Sequence, residues 1–83
     1  MRFDVVVEVR PRRGISDPEG STIERALPAL GFAAVSDVRV GKAIRLSVEA
    51  ADEDAARSLV GRLCQRLLAN PVIEEAEVSV VAP

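Results

Sequence analysis

Residues 2 to 10 alternate in polarity. Phe3, Val5, Val7 and Val9 fall on one side, and Arg2, Asp4, Glu8 and Arg10 on the other. A period of two built on β-branched residues predicts a half-buried strand. Val6 is the one apolar residue on the polar side, and a lone Val there is ordinary. Pro11-Arg12-Arg13-Gly14-Ile15-Ser16 reads as a loop. Asp17 then has the character of a helix N-cap, with Pro18 at the first helical position, where its missing N–H costs nothing. Glu19 adds negative charge to the positive end of the helix dipole. Ile23, Ala26, Leu27 and Leu30 follow i, i+3, i+4, i+7 spacing, which predicts one buried stripe. Pro28 disturbs the end of that helix and Gly31 stops it.

A second pair of strands is expected next. Val38 and Val40 share a face in the first. Ile44, Leu46, Val48 and Ala50 share a face in the second, with Arg45, Ser47 and Glu49 opposite. The Gly41-Lys42 pair between them is short enough for a hairpin turn. Asp52, Glu53 and Asp54 suit the start of a second helix. Its apolar stripe is Ala56, Leu59, Val60, Leu63, Leu67 and Leu68, with Arg57, Arg62 and Arg66 toward water. Asn70-Pro71 ends it. Residues 72 to 81 form a last strand, with Ala76, Val78 and Val80 inward and Glu75, Glu77 and Ser79 outward. The predicted fold is α+β in the order βαββαβ, ferredoxin-like: a four-stranded antiparallel sheet with two helices on one face. Periodicity leaves open whether the last strand pairs within its own chain or with a neighbour.

Composition narrows the function. With 83 residues the chain is expected to be a single domain, residues 1–83. It has one cysteine and no histidine, tyrosine or tryptophan. Neither an internal disulfide nor a metal cluster is indicated. A core of Val, Ile, Leu and Ala in so small a scaffold is thin, and such scaffolds gain stability by associating, so a homo-oligomer is expected. Eleven basic and thirteen acidic residues give a net charge of −2 in mixed order. Nucleic-acid binding would call for a basic stripe or stacking aromatics, and Phe3 and Phe32 are the only aromatics. No apolar run approaches a membrane span of about 20 residues. The N-terminus lacks a signal peptide's apolar block, and a lone thiol fits the reducing cytosol.

Catalytic equipment is sparse. Histidine, the usual acid–base group at neutral pH, is absent. Asp17 and Asp52 are placed to cap helices. Cys64 lies in the apolar run of the second helix, as a small buried hydrophobe would. The scattered glycines form no phosphate-cradling motif. Arg39 and Lys42 flank a tight turn, able to grip a phosphate or a partner's carboxylate, or simply solvated there. The βαββαβ order also hosts acylphosphatases, RNA-recognition modules and small-ligand regulatory domains. The loop after the first strand lacks an acylphosphatase's glycine-rich cradle, and the sheet lacks an RNA-binder's aromatics. A regulatory domain binding a small molecule between subunits remains the alternative.

Four segments resemble the PurS family: Asp17-Pro18-Glu19-Gly20; Leu30-Gly31-Phe32; Val38-Arg39-Val40-Gly41-Lys42; and Leu68-Ala69-Asn70-Pro71-Val72-Ile73-Glu74. Their order and spacing span nearly the whole chain. Glu19 stands where the family often has glutamine, and Ser16 where it often has a larger apolar residue. The resemblance implies the non-catalytic small subunit of bacterial phosphoribosylformylglycinamidine synthase, in purine (IMP) biosynthesis. Its implied partners are a second copy of itself, as dimer or tetramer, the glutaminase subunit PurQ and the synthetase subunit PurL. The implied role is to bridge the two enzymes and support ammonia transfer for ATP-dependent amidation of formylglycinamide ribonucleotide. ATP and Mg would then belong to the large synthetase subunit, with no cofactor on this chain, and the setting would be cytoplasmic. Asp17, Pro18, Gly20, Arg39, Gly41, Lys42, Asn70 and Pro71 become candidate partner-interface or structural motif residues.

Overall fold

The structure, a computed structural model, describes residues 1–83. Strand β1 (Arg2–Pro11) is followed by helix α1 (Pro18–Ala26) and a 3-10 turn (Pro28–Leu30). Strand β2 (Lys42–Glu49), helix α2 (Glu53–Leu63), a π turn (Cys64–Leu68) and strand β3 (Glu74–Ala82) complete the chain. The sheet has three strands in the order β2-β1-β3. Both pairings are antiparallel, so β3 pairs with β1 of its own chain.

The most regular alternation in the sequence takes the centre of the sheet. Phe3, Val5, Val7 and Val9 of β1 are all buried, Val7 completely. They stand opposite Val48, Leu46, Ile44 and Lys42 on β2. On the other side Val5 meets Val80, Val7 meets Val78 and Val9 meets Ala76. Ala56, Val60 and Cys64, one helical turn apart along α2 and its π extension, close over this row. Burying a valine side chain fully contributes about 1.5–3 kcal/mol, so Val5, Val7, Val9 and Val60 supply much of the core's stability. Asp52 caps α2, its Oδ1 accepting from the Ala55 N–H at 2.8 Å. The π turn inserts a residue into the helical repeat and swings Leu67 outward, where it is 76% exposed instead of joining the stripe.

Two expectations are corrected. The strand expected around Val38 and Val40 does not form, so the sheet has three strands and not four, and Gly41-Lys42 is not a hairpin turn. The reason lies in the backbone hydrogen bonds. The Val38 N–H donates to Glu24 Oε1 and the Val40 N–H to Asp17 Oδ2, each at 2.8 Å. Two carboxylates, from the cap and body of α1, thus take the donors that a ladder would have used, and residues 38–41 become an unpaired strap along the helix. The second correction concerns α1. Only α2 packs across the sheet; α1 makes its main contacts with the 3-10 turn after it, and Gly20 is its one buried residue. The intended stripe stays open, with Ile23 46% and Leu30 69% exposed. The molecule is accordingly long and flat, 51 × 26 × 14 Å.

Candidate partner-binding site

The three segments that carry the motif residues meet at one end of the sheet. Val9 near the end of β1 stands opposite Lys42 at the start of β2, and Pro11 opposite Glu74 at the start of β3. The strap arrives there at Gly41, and the loop of residues 12–17 leaves from there toward α1. The eight candidate residues therefore lie around one end of the sheet, yet most of them prove to be fully occupied.

Asp17 is the hub. Its Oδ1 accepts from the Gly20 N–H at 3.1 Å, capping α1, while Oδ2 takes the Val40 N–H. These two donors, Val40 first, hold the carboxyl below its ordinary range, and the nearby Arg39 charge adds to the effect. Pro18 occupies the first turn, as expected. Gly20 is required by packing: a Cβ there would clash with the Asp17 carboxylate and lie 2.6 Å from the Val38 carbonyl oxygen. Gly41 meets the same kind of demand, because a Cβ would sit 2.6 Å from the Val9 carbonyl oxygen. Both glycines let one stretch of backbone approach another.

Arg39 turns inward to the chain. Its Nη2 donates to the Pro11 carbonyl and, at 3.3 Å, to the Arg12 carbonyl. Arg12 passes the connection on, with its Nε to the Pro71 carbonyl at 3.0 Å and its N–H to the Ile73 carbonyl at 2.9 Å. Strap, β1 and the entry to β3 are thus tied in series. Asn70 shapes that entry. Its side-chain Oδ1 accepts from the Val72 N–H at 3.1 Å, and its carbonyl from the Glu74 N–H at 2.7 Å. Glu74 Oε1 in return accepts the Asn70 N–H at 2.8 Å. Pro71 fits within this closed turn because no N–H is asked of it.

Lys42 differs from all of these. No hydrogen bond or ion pair engages its side chain, and it is exposed between two open clefts, of about 330 and 520 Å³, whose walls also share Val9, Val40 and Gly41. Glu8, Arg10 and Arg39 line one cleft; Asp17, Glu19 and Glu74 line the other. Neither is an enclosed pocket of one charge sign. Away from this end, Cys64 is 5% exposed and burial pushes its thiol pKa up, away from nucleophilic use. Sequence reasoning gave no role to Glu24 or Arg12. A carboxylate in the second turn of a helix, or an arginine in a loop, carries no local sign that its donor or acceptor is a distant backbone group.

The comparisons with known proteins agree with this geometry over the whole chain. The family profile for PurS, phosphoribosylformylglycinamidine (FGAM) synthase, matches residues 4–82. The chain belongs to the PurS family. It is 42% identical over 76 residues to the phosphoribosylformylglycinamidine synthase subunit PurS of Thermotoga maritima, covering 92% of this chain and 93% of that one. The crystal structure of Methanocaldococcus jannaschii PurS, one of the subunits of formylglycinamide ribonucleotide amidotransferase in the purine biosynthetic pathway, superposes with a TM-score of 0.85. It is 36% identical, and the match covers 98% of both chains. A chain in the structure of PurLQS from T. maritima gives a TM-score of 0.89 at 40% identity, covering 98% of this chain and 99% of that one. The three-stranded, two-helix arrangement is therefore that of PurS, and purine biosynthesis is the setting of this PurS chain.

Proposed function

We propose that this chain is the non-catalytic small subunit of a phosphoribosylformylglycinamidine synthase. On this reading it bridges the glutaminase PurQ and the synthetase PurL in the cytoplasm. It supports passage of ammonia between them for the ATP-dependent amidation of formylglycinamide ribonucleotide. The observation that carries the reading is the match along almost the full chain to a subunit of PurLQS. The site supports it from the other side. The motif residues spend their polar groups on holding the chain together, and what they leave outward is Lys42 and a shaped end of the sheet. ATP and Mg belong, on this reading, to the large subunit. Ammonia set free in water at neutral pH is protonated and diluted, so a shielded route preserves the nucleophile.

The chain is also proposed to self-associate. Ile23, Leu30, Phe32 and Val35 are between 46% and 69% exposed, a larger apolar display than its seven-residue buried core can explain. Reconstitution tests the main reading. The isolated chain is expected to turn over nothing. Adding it to purified PurQ and PurL is expected to raise glutamine-dependent product formation at least tenfold while leaving the rate with ammonium chloride far less changed. Equal glutamine-dependent rates with and without the chain would refute the bridging role.

A further inference from the structure

The sheet edge formed by β3 is open where its own register should close it. Ala76 stands opposite buried Val9, yet Ala76 is itself exposed. The cause is the path of the second helix. At Cys64 it passes into the π turn, and the chain leaves the helix in extended backbone at Ala69. An open notch of about 300 Å³ remains between helix and strand. Gly61, Cys64, Ala69, Pro71, Ala76 and Val78 give it a small-residue, apolar wall. No atom lies within 4 Å of where a Cβ on Gly61 would stand. Glycine inside a helix is less stable than alanine, and nothing in this chain requires one there.

The backbone of this edge is as open as its side chains. The Arg12 N–H donates to the Ile73 carbonyl, which sets the phase of the antiparallel ladder. Glu75 and Glu77 exchange bonds with Arg10 and Glu8, so Ala76 and Val78 turn their backbone groups away from β1. Arg57 Nη1 donates to the Val78 carbonyl at 3.2 Å. The Ala76 N–H and C=O and the Val78 N–H have no partner within the chain.

The other face of the strand sets the charge of what can pair there. One guanidinium, that of Arg10, serves Glu8, Glu75 and Glu77, so this part of the face is net negative. A second copy of β3 laid antiparallel across Ala76 would set Glu75 against Glu77 on both sides of it, like charges directly opposed. We propose that an extended segment of one of the two larger subunits pairs with β3 from Glu74 to Val78 and adds a strand to the sheet. Its residues alternate: aliphatic ones fill the notch beside Gly61, and basic ones lie against Glu75 and Glu77 on the far face. This rests on the bridging reading above. The edge also continues the candidate site, since Val9 stands opposite Lys42 on one side and Ala76 on the other.

Hydrogen exchange of the full chain, alone and in the complex with PurQ and PurL, tests the pairing. The Ala76 and Val78 amides are expected to slow by about tenfold on assembly. Those of Glu75 and Glu77, already bonded to β1, are expected to change far less. Protection of Ala76 and Val78 in the chain alone would mean that a second copy fills the edge, and would overturn the proposal. Two variants alter the edge without touching the ladder. Ala76→Pro removes an N–H that faces outward, which an edge strand tolerates. Gly61→Leu fills the notch from a position with open space. Each is expected to keep the parent's far-UV circular dichroism and to need a several-fold higher concentration to support glutamine-dependent product formation. Glu75→Gln with Glu77→Gln keeps acceptors for Arg10 and is expected to weaken assembly several-fold at low salt. Assembly equal to the parent's in that variant would overturn the basic half of the pattern. Folded Ala76→Pro and Gly61→Leu chains that match the parent at every concentration would overturn strand addition while leaving the bridging role standing. A parent chain that raises no such turnover would remove both.

Discussion

Asp17 shows how one side chain can organise a region. It caps α1 through Gly20 and fixes the strap through Val40, so helix start and strap position are a single event. Gly20 is the space this arrangement needs, which explains why Asp and Gly stand three apart with Pro18 between. A pH dependence follows. The folded carboxyl titrates below its unfolded value near 3.8, so in acid the unfolded chain takes up the proton first. The stabilisation is fully present above that value and is lost as pH falls through the lower, folded one. Asp17→Asn keeps one acceptor oxygen and turns its NH2 toward the other of the two N–H donors, Gly20 or Val40. The variant is expected to be less stable than the parent at pH 6, with the gap narrowing as pH falls below the unfolded value and through the lowered one, in urea titrations followed from pH 6 into acid. Parallel stability curves for the two proteins would show that the carboxylate's charge plays no part.

At the scale of elements, what was legible in the sequence was what burial alone decides. The period-two rows of β1 and β2 and the start of α2 at Asp52 stand where hydrophobic spacing puts them, because each side chain's fate there depends on its own face; in β3 Val78 and Val80 pack on the core, but Ala76, expected inward, is exposed and Ser79, expected outward, is half-buried. Cys64 is buried as its neighbours imply. The failures occur where polar groups override that logic. Val38 and Val40 have the spacing of a strand, but two residues of pattern do not outweigh two carboxylates that reach their N–H groups. Ile23, Leu27 and Leu30 have helical spacing, yet a stripe says only that something apolar should cover it, not that the covering belongs to the same chain. Among the candidate site residues, Asp17, Pro18 and Gly20 were legible as a helix start. The grip of Arg39 on Pro11 and Arg12 was not, since its acceptors are carbonyls 27 and 28 residues away. The α2–β1 layer carries a quantitative expectation. Val60 is fully buried against the valine row, and Val60→Ala removes two methyl groups and leaves a cavity. A loss of about 2 kcal/mol is expected, read as a lower urea midpoint with an unchanged slope. A loss below about 0.5 kcal/mol would mean that α2 does not close the core in solution.

For the whole molecule, the end of the sheet separates residues that build the surface from one that can use it. Arg39 and Lys42 sit three apart in one motif and were equivalent on spacing. The structure divides them. Arg39 donates to two carbonyls and, through Arg12, steadies the turn at Pro71; the Lys42 side chain bonds to nothing and stands between two open clefts. An exposed cation with no partner in its own chain costs little to remove, whereas an arginine taken from two backbone acceptors loosens everything it ties. Arg39→Ala is therefore expected to lower the melting temperature by several degrees and to weaken capture of PurQ and PurL only in step with that loss. Lys42→Ala is expected to melt within a degree of the parent, yet to bind the partners several-fold more weakly, with Lys42→Glu weaker still if the facing group is a carboxylate. Salt gives an independent reading. A contact made by one exposed ammonium fades as ionic strength rises, so the parent and Lys42→Ala should bind alike at 0.5 M sodium chloride and differ at 0.05 M. Equal binding of the two at low salt, measured by titration calorimetry with each partner, would take Lys42 out of the interface and leave the sheet end as structure alone.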